Sequence, residues 1–184
     1  MKFSRRAALA LPLALALSAR AIAQDADPQN TLVLETKNGK VVINLRPDLA
    51  PKHVAQIKAL VARKFYDGIV FHRVIPGFMA QTGDPKGTGE GGSDLPNLPA
   101  EFTPTPFTRG TLGMARASDP NSANSQFFIC FGDAAFLNGK YTVFGEVTSG
   151  MDVVDKIKAG TEANNGSVSD PDKIVRLRLA ADAK

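Results

Sequence analysis

Arg73, Phe78, Met79 and Gln81 stand close together in the run Phe71-His72-Arg73-Val74-Ile75-Pro76-Gly77-Phe78-Met79-Ala80-Gln81-Thr82-Gly83-Asp84. Pro76-Gly77 marks a turn between two short apolar runs, Val70–Val74 and Phe78–Thr82, both expected to be strands. If the two pair antiparallel, side-chain alternation puts Met79 and Gln81 on one face. A guanidinium charged at any relevant pH and a carboxamide then border an apolar surface, so hydrogen-bond donors sit beside a place for an apolar group.

Other constellations are weaker on physical grounds. The glycine-rich stretch Gly83–Gly92 lacks the Gly-Lys-Ser/Thr ending of a phosphate cradle and opens no helix, so it reads as a surface loop that could line a groove. The only histidines are His53 and His72, far apart in sequence, and no Cys/His ligand spacing is present, so neither a metal nor a cofactor is expected. Composition permits a Ser-His-Asp arrangement, but no nucleophile-elbow motif accompanies it, and His72 reads as a structural hydrogen-bonding residue. Cys130, the single cysteine, lies in the apolar run Phe127–Phe131, where burial is the expectation, and it has no partner for an internal disulfide.

The elements that must position Arg73 and Gln81 follow from periodicity. Thr31–Glu35 and Lys40–Leu45 are β-rich and joined across Asn38-Gly39, a strong turn pair, which predicts a hairpin. Pro51–Arg63 carries Val54, Ile57, Leu60 and Val61 at helical spacing, with Pro51 suited to the first turn. Further strands are expected at Thr111–Ala115, Gln126–Phe131 and Thr142–Val147, separated by loops rich in Gly, Pro, Asn and Asp. A second helix is expected over Met151–Ala159, ended by Gly160, and a last alternating strand over Lys173–Leu179. Strands, helix, many strands, helix, strand is the order of a mainly β barrel with a helix at each end.

Ahead of all this, Lys2, Arg5 and Arg6 precede an apolar stretch, Ala7–Leu17, that ends in Ala21-Ile22-Ala23. That is the pattern of a signal peptide over residues 1–23, with the mature chain starting at Gln24 and residues 24–30 forming a flexible polar tail. The stretch is short for a bilayer span, which takes about 20 residues. Export to the periplasm is expected, by the general secretory or the twin-arginine route, although Ala7-Ala8 stand where a twin-arginine signal carries a bulky residue. The formal net charge of +4 then dissolves, because four of the 22 cations lie in residues 1–23 with no acid, leaving 18 against 18. A neutral mature chain from residue 24, with its folded domain over residues 31–184, gives no reason to expect nucleic acid or an anionic membrane as partner. With 43% hydrophobic residues the full chain can bury one sizeable core.

Three runs in order, FHRVIPGFMAQTGD (Phe71–Asp84), SQFFIC (Ser125–Cys130) and FLNGKYTVFGEV (Phe136–Val147), resemble the signature of the cyclophilin family in its bacterial exported form. The resemblance extends from about Thr31 to Leu179. It implies a closed eight-stranded antiparallel β-barrel capped by two α-helices, with a proline-binding groove on its outer surface. It implies peptidyl-prolyl cis-trans isomerase activity, with Arg73, Gln81 and Phe78 as catalytic residues. Met79, Phe128 and Leu137 would complete the proline pocket with Phe78, and Ala115, Gln126, Phe136 and Tyr141 would line the rest of the groove. The expected partners are proline-containing peptides and unfolded or partly folded proteins, met by a monomer. Phe136 stands where many eukaryotic members have Trp and Tyr141 where they have His. Without the indole N–H, weak binding of cyclosporin is expected. Arg116 occupies a groove-edge position often filled by Asn, which leaves open the preference beside the proline.

Rotation about a peptide bond meets a barrier of about 18–20 kcal/mol, and its catalysis needs no nucleophile, metal or cofactor. Arg73 would donate to the prolyl nitrogen or carbonyl of the twisted amide, while the apolar side chains grip the ring and Gln81 anchors the backbone. Taken singly, each apolar residue reads as core and Arg73 as a surface ion-pair partner. A non-catalytic proline-binding or chaperone module on the same fold is the alternative, which retention of Arg73 disfavours.

Overall fold

The structure, a computed structural model, describes residues 27–182. The expected signal peptide, residues 1–23, lies outside the described residues. Of the expected tail, Asp27–Asn30 form a turn in which the Asp27 carboxylate accepts from Gln29 N and Asn30 Nδ2. The carbonyl of Asn30 accepts from Leu45 N at 2.7 Å, which ties the turn to the sheet.

Eight strands follow: β1 Thr31–Thr36, β2 Gly39–Leu45, β3 Arg73–Ile75, β4 Met79–Thr82, β5 Thr111–Met114, β6 Phe127–Cys130, β7 Val143–Ser149 and β8 Arg176–Leu179. All pairings are antiparallel and the order across the sheet is β3-β4-β6-β5-β7-β2-β1-β8. The first hairpin forms as expected, with Lys37-Asn38 as the loop and Gly39 paired to Thr36 at a φ of +139°.

The expected closed barrel is corrected to an open half-barrel, because no ladder joins the edge strands β3 and β8. Isolated pairings, Val70 with Lys173 and Arg73 with Ser167, span the gap instead. The chain facing β3 cannot run as a strand there: Asn165, Gly166 and Asp170 have left-handed backbone (φ 55°, 77° and 49°), and Pro171 has no N–H to give. For the same reason the first strand of the Arg73 hairpin begins at Arg73 rather than Val70.

Two helices pack on the sheet, α1 (Pro51–Ala62) against β8 and α2 (Met151–Val154) against β2. Helix α1 has no side-chain cap from Ala50. Its first N–H groups, of Lys52 and His53, donate to the carboxylate of Glu101 at 3.1–3.2 Å, and His53 Nδ1 lies 2.7 Å from the same carboxylate. The orphan donors of a helix start are thereby satisfied from a distant loop. Helix α2 is one turn rather than the expected Met151–Ala159. Beyond it the bonds tighten to Lys156 N on Val153 O and Ile157 N on Val154 O, and Lys158 N turns away to the Asp172 carboxylate at 3.0 Å.

The interior of the half-barrel is filled by inward residues of these strands, among them Leu34, Ile43, Leu112, Phe127, Ile129 and Phe144, with Ile57 and Leu60 of α1. A second, smaller cluster lies on the opposite face of β4, β5 and β6: Met79, Phe107, Phe128, Cys130, Leu137 and Val143. No helix among the described residues is long and apolar enough to cross a membrane.

Candidate active site

The smaller cluster carries the site. Pro76-Gly77 turns the chain between β3 and β4, Gly77 supplying a φ of +73° and Phe78 N closing the turn on Ile75 O at 3.1 Å. The resulting register sets Arg73 opposite Gln81 and Gln81 opposite Phe128. Alternation along β4 then sends Ala80 inward and leaves Met79 and Gln81 on the outer face, as the pattern predicts.

A chain of polar contacts fixes the hydrogen-bonding groups. Arg73 Nη1 donates to Gln81 Oε1 at 3.1 Å, Gln81 Nε2 to Gln126 Oε1 at 2.9 Å, and Gln126 Nε2 to the carbonyls of Gly89 and Gly91 at 3.0 and 2.8 Å. From the other side Asn165 accepts from Arg73 twice, Nε to its carbonyl at 3.0 Å and Nη2 to its Oδ1 at 2.9 Å. Three of the five guanidinium N–H groups are thus committed and two are left for a ligand. Partial burial lowers the Arg73 pKa from its ordinary value, and the group stays cationic at any physiological pH.

Next to this guanidinium is a cavity of about 110 Å³ walled by Phe78, Phe128, Leu137, Tyr141, Gln81, Ala115 and Arg116. It is far smaller than the ~300–1,000 Å³ of drug-sized sites and suits one small ring. Phe128 stacks on Phe107 with centroids 5.7 Å apart and meets Tyr141 edge-on at 6.0 Å. A larger polar cavity of about 580 Å³ continues past Gln81, Ala115 and Gln126 toward Ser93 and Asn124.

Of the residues singled out from the sequence, Arg73, Phe78, Gln81, Ala115, Phe128, Leu137 and Tyr141 meet around the small cavity, and Gln126 lines the larger one. Met79 is 1% exposed and belongs to the packed floor rather than the wall. Phe136 is 61% exposed on the rim, its ring 5.2 Å from that of Phe78. His72 is not the hydrogen-bonding residue expected: both ring nitrogens are buried without a partner among the described residues, and desolvation lowers its pKa. Burial pushes the Cys130 thiol up to about 12, so it stays protonated.

Two contributors have no local sequence signal. Asn165 reaches Arg73 across 92 positions, and its left-handed backbone is a conformation Asn tolerates better than most residues. Gly113 sits under the pocket, where an added Cβ would lie 2.3 Å from Phe128 Cζ and 2.6 Å from Phe107 Cε1. Only the absence of a side chain there lets the two rings lie flat on β5.

Residues 31–179 match the family described as cyclophilin type peptidyl-prolyl cis-trans isomerase/CLD. The chain is 58% identical to a probable peptidyl-prolyl cis-trans isomerase of Brucella suis, over 100% of both chains. It is 41% identical to a peptidyl-prolyl cis-trans isomerase-like 1 protein of Gibberella zeae, over 71% of this chain and 85% of that one. Among solved structures, a cyclophilin of Hirschia baltica superimposes with a TM-score of 0.76 at 30% identity, covering 85% of this chain and 76% of that one. A cyclophilin type isomerase of Cryptosporidium parvum, solved in the presence of the dipeptide ala-pro, does so with a TM-score of 0.74 at 30% identity, covering 81% and 98%.

Proposed function

We propose, from the premise that this chain belongs to the cyclophilin-type peptidyl-prolyl cis-trans isomerase family and is an enzyme of that type, that the groove between Arg73 and Tyr141 is where it turns X-Pro bonds in exported proteins. The observation that carries the assignment is one fixed guanidinium, with two uncommitted N–H groups, beside a cavity sized for a single ring. The structure of the Cryptosporidium relative in the presence of ala-pro supports a proline-containing ligand.

X-Pro bonds lie within about 0.5–1 kcal/mol of balance between cis and trans, yet exchange over tens to hundreds of seconds. As the bond twists, amide conjugation is lost and the prolyl nitrogen regains its lone pair. Arg73 donates to that lone pair, or to the prolyl carbonyl, and the bond strengthens only in the twisted state, which is what lowers a barrier. Phe78, Phe128 and Leu137 hold the pyrrolidine ring, while Gln81 and Ala115 hold the main chain beside it. Because Gln81 and Asn165 already orient the guanidinium, little of its freedom remains to be lost during turnover.

Residues 1–23 support action outside the cytoplasm, in the periplasm, on chains folding after export. Mass spectrometry of protein recovered from the periplasmic fraction is expected to show a chain starting at Gln24; retention of residues 1–23 in a cytoplasmic fraction would overturn that part. For the chemistry, NMR exchange on an Ala-Pro peptide reads cis–trans rates without a coupled protease. Acceleration is expected, with Arg73→Ala lowering kcat/KM by about 10²–10³ in a folded protein that still binds peptide. Binding without acceleration would make the groove a proline-recognition module instead.

A further inference from the structure

Seven arginines fall within the described residues, and five of them pair with carboxylates: Arg46 with Asp48, Arg63 with Asp94, Arg109 with Asp155, Arg176 with Glu35 and Arg178 with Asp67. The two whose hydrogen bonds all go to uncharged oxygens are Arg73 and Arg116, and both border the groove. Arg73 has a task in bond rotation; Arg116 has none in that mechanism.

Arg116 is nonetheless held rigidly. Its Nε and Nη2 donate to the Lys140 carbonyl at 3.3 and 3.0 Å, and its Nη1 donates to the carbonyls of Ala117 and Ser118 at 2.9 and 3.4 Å. The guanidinium carbon stands 4.5 Å from the centre of the Tyr141 ring. Carbonyl dipoles and a ring face orient a guanidinium without cancelling its charge. The side chain is therefore a fixed cation that walls the ring-sized cavity, the 580 Å³ cavity beside it and a third of about 520 Å³ that it shares with Arg73. The acid facing it across both larger cavities is Glu90, an exposed side chain that forms no ion pair among the described residues. Two cations against one solvated anion leave the groove positive on a domain otherwise balanced in charge.

We infer that Arg116 makes the groove selective for segments bearing a carboxylate side chain within about two residues of the proline. The inference rests on the reading of this groove as the isomerase site. The reach follows from placement: Arg116 touches the cavity for the ring itself, and an extended chain advances about 3.3–3.6 Å per residue. A partly exposed, pre-oriented guanidinium meeting a carboxylate supports a preference of about two- to fivefold, weakened by salt.

The test uses the full chain and peptides with one central Pro, placing Glu, Gln or Lys in turn at each of the two positions on either side. Cis–trans exchange and affinity are read by NMR in the same titrations. At low salt kcat/KM is expected to fall in the order Glu, Gln, Lys at one or more positions. That spread should narrow at about 0.5 M salt, collapse in Arg116→Gln, survive in part in Arg116→Lys and widen in Glu90→Gln. Equal rates for Glu and Gln at all positions, or a preference undiminished in a folded Arg116→Gln, would overturn the inference. If no peptide is accelerated, the isomerase reading fails, and the affinities from the same titrations still decide the charge preference.

Discussion

Phe127 and Phe128 are neighbours on β6, 2% and 5% exposed, and they serve opposite faces of one pleated strand. Phe127 points into the half-barrel, where it meets Tyr66 and Phe144 edge-on at 5.6 and 5.9 Å. Phe128 points outward into the cluster beneath the groove, on Phe107 and Tyr141. Burial alone does not distinguish them; what they are buried against does. The inner cluster is packed between the sheet and helices α1 and α2, whereas the outer cluster ends at a cavity and at Arg73. A sheet with alternating side chains can thus carry stability on one face and recognition on the other with no insertion between them.

The largest expected effect tests that division. Phe127→Ala should cost about 3–5 kcal/mol, read as a lower denaturation midpoint, while exchange activity per folded molecule stays within about twofold. Phe128→Ala opens onto a cavity that is already present and should cost less, about 2–3 kcal/mol, but lower kcat/KM at least tenfold. The comparison breaks if the two substitutions rank the same way in both stability and activity.

The two faces also differ in how much of them could be read from the residues. The groove was legible because most of its walls lie in three short runs, Phe71–Asp84, Ser125–Cys130 and Phe136–Val147, the first two of which pair directly as β4 and β6. Helix α1 was legible because Val54, Ile57, Leu60 and Val61 repeat at helical spacing. What was hidden depends on contacts distant in sequence. The cap on α1 comes from Glu101, the second clamp on Arg73 from Asn165, and the early end of α2 from Asp172. Closure was misjudged for a related reason. A strand such as Lys173–Leu179 shows its alternation, but nothing local says that residues 165–171, with three left-handed positions and a proline, leave its edge unpaired. Alternation likewise placed Met79 on the outer face correctly without saying whether it walls the cavity or floors it.

Asp84 gives an intermediate effect, and one with a pH signature. The residue is 1% exposed, and burial works to raise its pKa. Backbone N–H groups of Lys86, Gly89 and Thr88 and the Thr88 hydroxyl donate to its carboxylate at 2.6–3.1 Å, and the net result is a pKa lowered to about 2. A depressed folded pKa means stability that is complete above the ordinary value of 3.8 and lost as pH falls through about 2. Acid should therefore loosen the loop from Asp84 to Gly92 between about pH 4 and pH 2, and with it the Gly89 and Gly91 carbonyls that hold Gln126. Asp84→Asn should lose about 1–3 kcal/mol at neutral pH and show a flatter stability profile across that acid window in denaturation measurements. An unchanged profile would mean that the loop is held by other groups, and the groove face would then be as insensitive to acid as the interior.

The smallest effect separates holding a catalytic group from holding the fold. Asn165 lies on no strand, contributes nothing to either apolar cluster, and takes two of the three hydrogen bonds that orient Arg73. Asn165→Gly permits the same left-handed backbone and keeps the carbonyl that accepts from Nε, so stability should change by less than about 0.5 kcal/mol. It removes the Oδ1 that accepts from Nη2, and a bond to a charged, partly exposed group is worth about 1 kcal/mol. Exchange measurements should show kcat falling about fivefold with KM nearly unchanged, because the ring cavity is intact while the guanidinium gains freedom it must lose in the twisted state. Asn165→Asp, which retains an oxygen at the same place, should recover most of the rate. If Asn165→Gly leaves kcat unchanged, the clamp through Gln81 is sufficient alone, and the groove owes its orientation of Arg73 to the sheet rather than to the loop across its open edge.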